Sequence, residues 1–283
     1  MKDKGRLFIV ATPIGNLEDI TYRAIKVLSQ VKWIAAEDTR IIRKLLSHYN
    51  IHTNIFSLHS YNEKQRVKFI IDKLSKGEDI ALVSDAGIPV LSDPGELIIR
   101  EVIKEGFKVI PIPGPSAVTT CLMVAGLPWK GSIILGFLSR KKKKRKEELK
   151  ELKELGNPII LFESPLRLLT LLEELEEIFP ERDIVVCREL TKIHEEILRG
   201  KAKQLLKEFR DRGEIKGEIT LFIGPGEKKK KEKYDKEILN LIKAVIDIIN
   251  DDKLTPREKA KKLSLLLKIP TNEAYKFIIE LRL

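Results

Sequence analysis

Two periodicities alternate along the first 112 residues. Short apolar runs at Arg6–Ala11 (RLFIVA), Val31–Asp38 (VKWIAAED), Ile80–Asp85 (IALVSD) and Lys108–Ile112 (KVIPI) read as buried strands. Between them apolar residues recur at helical spacing over Ile20–Gln30, up to about Asn50, over Asn62–Lys76 and over Gly95–Glu105, with Gly106 placed to end the last helix. Strands that alternate with helices need crossovers, and predict a mostly parallel sheet.

After the segment GLPWKG (Gly126–Gly131) the rhythm changes. Strand-like runs SIILGF, PIILFE, DIVVCRE, EEILRG and GEITLFIGPG follow one another with helices between only some of them, which predicts a mixed sheet. The last fifty residues, Tyr234–Leu283, keep helical spacing throughout: Ile238, Leu241, Ile242, Val245 and Ile249, then Ala274, Phe277, Ile278 and Leu281. Thr255-Pro256-Arg257-Glu258 is a capping box with proline at the first helical position. The two short helices flanking KIPTN have the outline of a helix-turn-helix pair. The expectation is an α/β domain over 1–128, a second α/β domain over 129–226 and a basic linker with a small helical domain over 227–283.

Three strand ends carry unusual turns: TPIGN (Thr12–Asn16), SDAGIPVLSDPG (Ser84–Gly95) and PGPSA (Pro113–Ala117). Glycine lets backbone approach a ligand closely, proline stiffens a turn, and in an open parallel sheet ligands sit outside the carboxyl ends of the strands. Each turn alone is ordinary punctuation; three at the ends of strands in one sheet point to a shared site. No phosphate-loop lysine, G-x-G-x-x-G or metal-ligand spacing occurs, and His48 and His52 lack a third ligand and read as surface residues.

Composition narrows the class. Charged residues make up 34% and hydrophobic ones 43%, enough for real cores, and the net charge is +11. The excess is spread along the chain but concentrates in RKKKKRK (Arg140–Lys146) and KKKKEK (Lys228–Lys233), which suit nucleic-acid phosphates or, equally, solvation and linkers. The two cysteines, Cys121 and Cys187, each sit in an apolar run and read as buried thiols. No run approaches a membrane span, and charges occupy the N-terminal stretch where a secretory leader needs apolar residues, so the cytoplasm is the expected location.

IVATPIGNLEDITYRAI, AAEDTR, LHSYNE, ALVSDAGIPVLSDPG, PIPGPSA, AGLP, FESPLRLL, RELTK and KGEITLFI occur in order between Phe8 and Gly224. In these segments the chain resembles the tetrapyrrole-methylase fold family of S-adenosylmethionine-dependent methyltransferases, and in particular its bacterial branch that methylates the cytidine 2′-hydroxyl in the decoding region of 16S ribosomal RNA. The resemblance implies a two-domain class III methyltransferase fold with a small all-helical appendage, S-adenosylmethionine in the cleft, a homodimer, and 16S RNA or the small ribosomal subunit as partner. Carried onto matching motifs, it implies donor contacts at Pro13, Asp85, Ala86, Ile88, Ser116, Ala117, Phe162, Cys187 and Ile219. It implies RNA contacts at Asn16, Arg40, His59, Asn62, Arg167, Arg188 and Lys192.

Methyl transfer from a sulfonium needs alignment rather than a metal, but a ribose hydroxyl attacks only as its proton leaves. Glu37, Asp38, His59, Glu163 and Glu189 lie in matching motifs as candidate bases, with Asp38 and Glu163 ranked first; each also suits a structural ion pair or, for Asp38, a helix cap. Two alternatives stay open: a tetrapyrrole C-methyltransferase on the same fold, and an RNA-binding assembly factor that does not turn over.

Overall fold

A computed structural model describes residues 4–227, 241–246 and 254–280. Residues 4–227 belong to one compact unit and the tail from Lys228 to a second. The lysine run Lys228–Lys233, together with Ile238, Ile249 and Leu281, lies outside the described residues.

In the first half, five strands form one parallel sheet: β1 (Arg6–Val10), β2 (Trp33–Ala36), β3 (Asn54–Ser57), β4 (Ile80–Val83) and β5 (Lys108–Ile112), in the order β3-β2-β4-β1-β5. The helices α1 (Tyr22–Gln30), α2 (Thr39–His48), α3 (Glu63–Ser75) and α4 (Glu96–Lys104) supply the crossovers. Successive strand residues face opposite ways, so one sheet has two cores. Phe8, Ile34 and Ala81 pack with Leu28 of α1 and Leu45 of α2, whereas Leu7, Ala35 and Leu82 pack with Ile70 of α3 and Ile98 of α4. Burial on both faces is what gives these strands continuous apolar runs. β3 escaped sequence reading because Asn54 and Ser57 frame a two-residue apolar stretch on an edge strand.

In the second half, β6 (Ile133–Phe137), β7 (Ile159–Glu163), β8 (Asp183–Arg188), β9 (Glu196–Lys201) and β10 (Ile219–Ile223) form a mixed sheet, order β6-β7-β10-β8-β9. Only β6 and β7 are parallel; the other pairings are antiparallel. One face packs on α6 (Lys142–Leu155), α7 (Pro165–Ile178) and α8 (Ala202–Asp211) through residues such as Leu149, Leu172 and Phe209. The other face, with Ile160, Val185 and Phe222, packs on Val118 and Cys121 of α5 (Ala117–Ala125) and on Ile14 of the first loop. Helix α5 and the first loop therefore join the two sheets, and place the carboxyl ends of β1, β4 and β5 opposite the ends of β6 and β7.

The basic run Arg140–Lys146 opens helix α6 rather than forming a linker. Arg145, Leu149 and Leu152 recur on its buried face, and Arg145 is only 4% exposed, held by Glu174 through two hydrogen bonds of 2.7 and 2.9 Å. In the tail unit, Pro256–Leu267 and Thr271–Glu280 are helices whose Ala260, Leu263, Ala274 and Ile278 share a core with Ile242. The capping box is formed: the Thr255 N–H donates to the Glu258 carboxylate at 2.8 Å and the Glu258 N–H to Thr255 Oγ1 at 3.4 Å.

Candidate functional site

The three glycine- and proline-bearing turns leave β1, β4 and β5, which are neighbours in the sheet, so they converge by construction. Two contacts lock the first to the second: the Thr12 and Gly87 backbones form a two-bond bridge, and buried Thr12 Oγ1 donates to the Ser84 carbonyl at 2.9 Å. Gly87 has φ +81°, and a Cβ there would sit 3.2 Å from Ile14 Cγ2 and 3.8 Å from the Pro115 carbonyl, so all three turns meet at this residue. The second turn folds on itself: Ser84 Oγ donates to Asp93 at 2.5 Å and accepts from the Ala86 N–H at 3.2 Å.

Between these turns and the second sheet lies a cavity of about 450 Å³, within the range of small-molecule sites. Asp85, Ala86, Ile88, Ser116 and Ala117 line it from the first half, and Phe162, Glu163 and Ile219 from the second. Pro13 is buried behind this wall, and its neighbour Ile14 faces the cavity. Cys187 is fully buried on β8 beside Thr220, which lines the cavity; its Sγ lies 3.4 Å from that of Cys121, and both thiols are free. Sequence reading missed Phe137, Leu91 and Asp93 on the wall. Asp93 had a signal, the second Ser-Asp of the same turn; Phe137, the last residue of an apolar strand, had none.

Five carboxylates, Glu37, Asp85, Asp93, Glu163 and Glu218, line the cavity, and among the described residues no lysine or arginine does. Partial withdrawal from water, then the facing Asp93 and Asp85, pushes the Glu37 carboxyl above the usual carboxylate range. Burial does the same to Asp85 and Asp93, although the Asp38 N–H and the Ser84 hydroxyl donate to them. Glu163 and Glu218 are paired with Arg167 and Lys192, so the unpaired carboxylates are Glu37, Asp85 and Asp93, and the end of the cavity they line favours a cation.

Asp38 and Glu163 differ sharply in how they are held. The Asp38 carboxylate accepts from the Arg40 N–H as the cap of α2 and pairs with the Arg40 guanidinium at 2.6 Å, which brings its pKa down to about 2. It is not on the cavity wall. Glu163 is, and its side chain has no exposed surface. Its Oε1 accepts from Arg167 and from the Ser164 N–H, both at 2.6 Å, while its Oε2 has no partner among the described residues. A buried acceptor left open is costly, and it marks a place where a donor belongs.

The residues expected at RNA are mostly occupied by the protein. Arg40 pairs with Asp38, Arg167 with Glu163, Arg188 with Glu196 at 3.0 Å, and Lys192 with Glu189 at 2.8 Å and Glu218 at 3.2 Å. Asn62 braces the turn after β3, taking the His59 N–H at 2.9 Å and donating to the Ser57 carbonyl at 3.2 Å. Buried His59 Nδ1 has no partner among the described residues, and His59 acts electrostatically on Glu37. Asn16 caps the short turn after the first loop, and its N–H donates to Thr191 Oγ1, which ties TPIGN to the RELTK turn. Asn16, Arg188 and Lys192 thus gather at one end of the site, and Arg40, His59 and Asn62 at the other, at the ends of β2 and β3.

Comparison with known proteins identifies the family. The family model for tetrapyrrole (corrin/porphyrin) methylases matches residues 6–206. The chain is 46% identical to ribosomal RNA small subunit methyltransferase I of Halalkalibacterium halodurans over 244 residues, 86% of this chain and 84% of that one. It is 39% identical to the protein of that name from Escherichia coli O157:H7, over 98% of this chain and 96% of that one. Among solved structures, uroporphyrin-III C-methyltransferase from Thermus thermophilus complexed with S-adenosylhomocysteine superposes with a TM-score of 0.55, at 13% identity, over 78% of this chain and 97% of that one. That likeness shows a shared fold, and the tetrapyrrole enzymes stand as distant kin beside the ribosomal RNA relatives. The chain belongs to the tetrapyrrole (corrin/porphyrin) methylase family and, within it, to the ribosomal RNA small subunit methyltransferase I group.

Proposed function

We propose that this protein methylates the 2′-hydroxyl of a cytidine in the decoding region of 16S ribosomal RNA, with S-adenosylmethionine as donor. The observation that carries the reading is a buried carboxylate oxygen, Glu163 Oε2, left open on the wall of a cation-favouring cavity formed by the three turns. The names of the relatives supply the substrate class. The residues present fit the donor: apolar walls from Ile88, Ala117 and Phe162 suit its nucleoside, and Glu37, Asp85 and Asp93 suit its positive charge.

When bound, S-adenosylmethionine supplies a methyl carbon on a sulfonium, whose sulfur leaves as a neutral thioether. The protein's part is alignment, exclusion of water and removal of one proton. Arg167 and the Ser164 N–H fix one oxygen of Glu163, so the other has a defined direction. Glu163 Oε2 takes the 2′-hydroxyl proton as the oxygen forms its bond to the methyl carbon. Asp38, bound to Arg40 outside the cavity, keeps the α2 terminus and the Asp85 carboxylate in place through its own N–H.

The reading includes two sheet-bearing domains that meet near residue 128, and a homodimer acting in the cytoplasm. Among the described residues no helix is long and apolar enough to cross a membrane. Light scattering tests the dimer. The function is tested by incubating the protein with labelled donor and small subunits that lack the modification. Label recovered as 2′-O-methylcytidine is expected; unlabelled subunits, with label on a tetrapyrrole supplied in a parallel incubation, contradict the reading.

A further inference from the structure

The sign of the cavity restricts how a nucleotide can enter it. Glu37, Asp85 and Asp93 line it without an ion pair among the described residues and oppose the entry of phosphodiesters, so sugar and base enter while phosphates stay outside. One edge of the cavity offers partners for both parts. Phe137 ends β6, the outer strand of the second sheet, and remains 56% exposed although it lines the cavity. Its ring lies 5.7 Å from that of Phe162, tilted by 59°. Three residues on, Arg140 and Lys141–Lys144 are all exposed, and among the described residues none of the five is in an ion pair.

The segment between the ring and the cations is pinned. Buried Arg145 donates to the Ser139 and Arg140 carbonyls at 3.3 and 3.4 Å, and the Ser139 N–H donates to Glu148 at 3.1 Å. Arg167, which holds Glu163, also donates to the Leu138 carbonyl at 3.5 Å. One guanidinium therefore links the open carboxylate to the strap that carries Phe137 and the lysines. Gly136, at φ +66°, presses against Ser92 of the second turn, where a Cβ would collide with Ser92 Oγ. An aromatic held half in water, on a pinned strap ending in exposed cations, is built like a stacking platform with a backbone track beside it.

We propose that this edge is the acceptor-strand subsite. Phe137 stacks the base of the nucleotide being methylated, and Arg140 with Lys141–Lys144 takes phosphates along the neighbouring part of a single-stranded RNA segment. Arg140 lies three residues from Phe137, at most about 10 Å of backbone, so its phosphate contact falls beside the stacked nucleotide, and the lysines that follow it reach phosphates further along the strand. Any base has a face to stack, so Phe137 positions the nucleotide without choosing its identity. The inference rests on the RNA-methyltransferase reading above.

The test uses the full chain, an RNA oligonucleotide of decoding-region sequence, and three readouts: RNA affinity by fluorescence anisotropy, donor affinity by calorimetry, and steady-state transfer. Phe137→Ala is expected to weaken RNA binding and raise the RNA KM about ten-fold, a larger factor than any change in donor affinity, with Phe137→Tyr restoring RNA binding and KM. Replacing Lys141, Lys142, Lys143 and Lys144 by glutamine is expected to flatten the slope of log affinity against log salt by about 0.7 for each phosphate no longer neutralised. Lys203→Gln with Lys207→Gln, exposed on α8, leaves that slope as it was. The proposal is overturned if Phe137→Ala weakens donor binding instead, or if it leaves RNA binding unchanged. It is also overturned if that change only splits a dimer while each protomer binds RNA as before, which would give the edge to a second copy. Failure of the unmodified protein to methylate RNA falls on the functional reading; the binding measurements judge this subsite independently.

Discussion

Thr12 and Gly87 exchange two backbone hydrogen bonds, the Thr12 N–H to the Gly87 carbonyl at 2.9 Å and the Gly87 N–H to the Thr12 carbonyl at 3.1 Å. Turns far apart in the chain are thereby fixed as one surface. The bridge depends on the left-handed backbone at Gly87, which costs a residue with a Cβ about 1–2 kcal/mol even before the contact with Ile14 is counted. Gly87→Ala is expected to lower stability by at least that much in urea unfolding. It should also weaken S-adenosylhomocysteine binding several-fold in calorimetry. Unchanged donor affinity would show that the bridge does not shape the site.

Glu163 and Asp38 were equal candidates in the sequence and are unequal in the fold. Glu163→Gln is expected to lower kcat by about 10²- to 10⁴-fold with donor affinity retained. Asp38→Asn keeps the cap acceptor and should leave kcat within a few-fold.

Asp38 instead reports on stability. Its folded pKa of about 2 lies below the unfolded value of about 3.9, so its ionised form adds stability that is present above pH 4 and lost as pH falls toward 2. Acid unfolding curves of the wild type and Asp38→Asn should therefore converge near pH 2 and separate above pH 4. Curves that stay parallel would show that the Arg40 pairing adds nothing to stability.

Asp85 has the opposite sign. Burial and Asp38 raise its pKa, so the ionised group costs stability at neutral pH, and the cost fades as pH falls through its folded value. Asp85→Asn, whose Oδ1 still accepts the Asp38 N–H, is expected to raise the melting temperature of the free protein at pH 7. The same change should weaken donor binding by roughly ten-fold, the scale of one charge interaction. A destabilised variant with normal donor affinity would contradict the role given to the acidic end of the cavity.

The buried pair beneath the basic run makes a separate prediction. Glu174→Ala strands the Arg145 charge at 5% side-chain exposure and should cost about 3–5 kcal/mol, whereas Arg145→Met with Glu174→Leu together should cost far less. Denaturant titration of both variants checks this.

What the sequence revealed, and what it hid, follows from range. The turns were legible because proline and glycine announce local backbone, and their meeting followed from strand adjacency in a parallel sheet. Helix α6 was hidden by its lysines, although Arg145, Leu149 and Leu152 carry its buried face. Arg188 pairs with Glu196 across the β8–β9 ladder and Lys192 with Glu218 through the tertiary fold, so cations that looked free for phosphate are already engaged. Phe137 stayed invisible because an apolar residue on an outer strand reads like one in the core.

The central claim is that the three turns and Glu163 bound one methyl-donor site. A crystal structure of the protein with S-adenosylhomocysteine tests it most directly. The product is expected in the cavity between the turns and the second sheet, its sulfur turned toward Glu163 Oε2. Product bound elsewhere, or in the cavity with its sulfur facing away from Glu163, would contradict the claim.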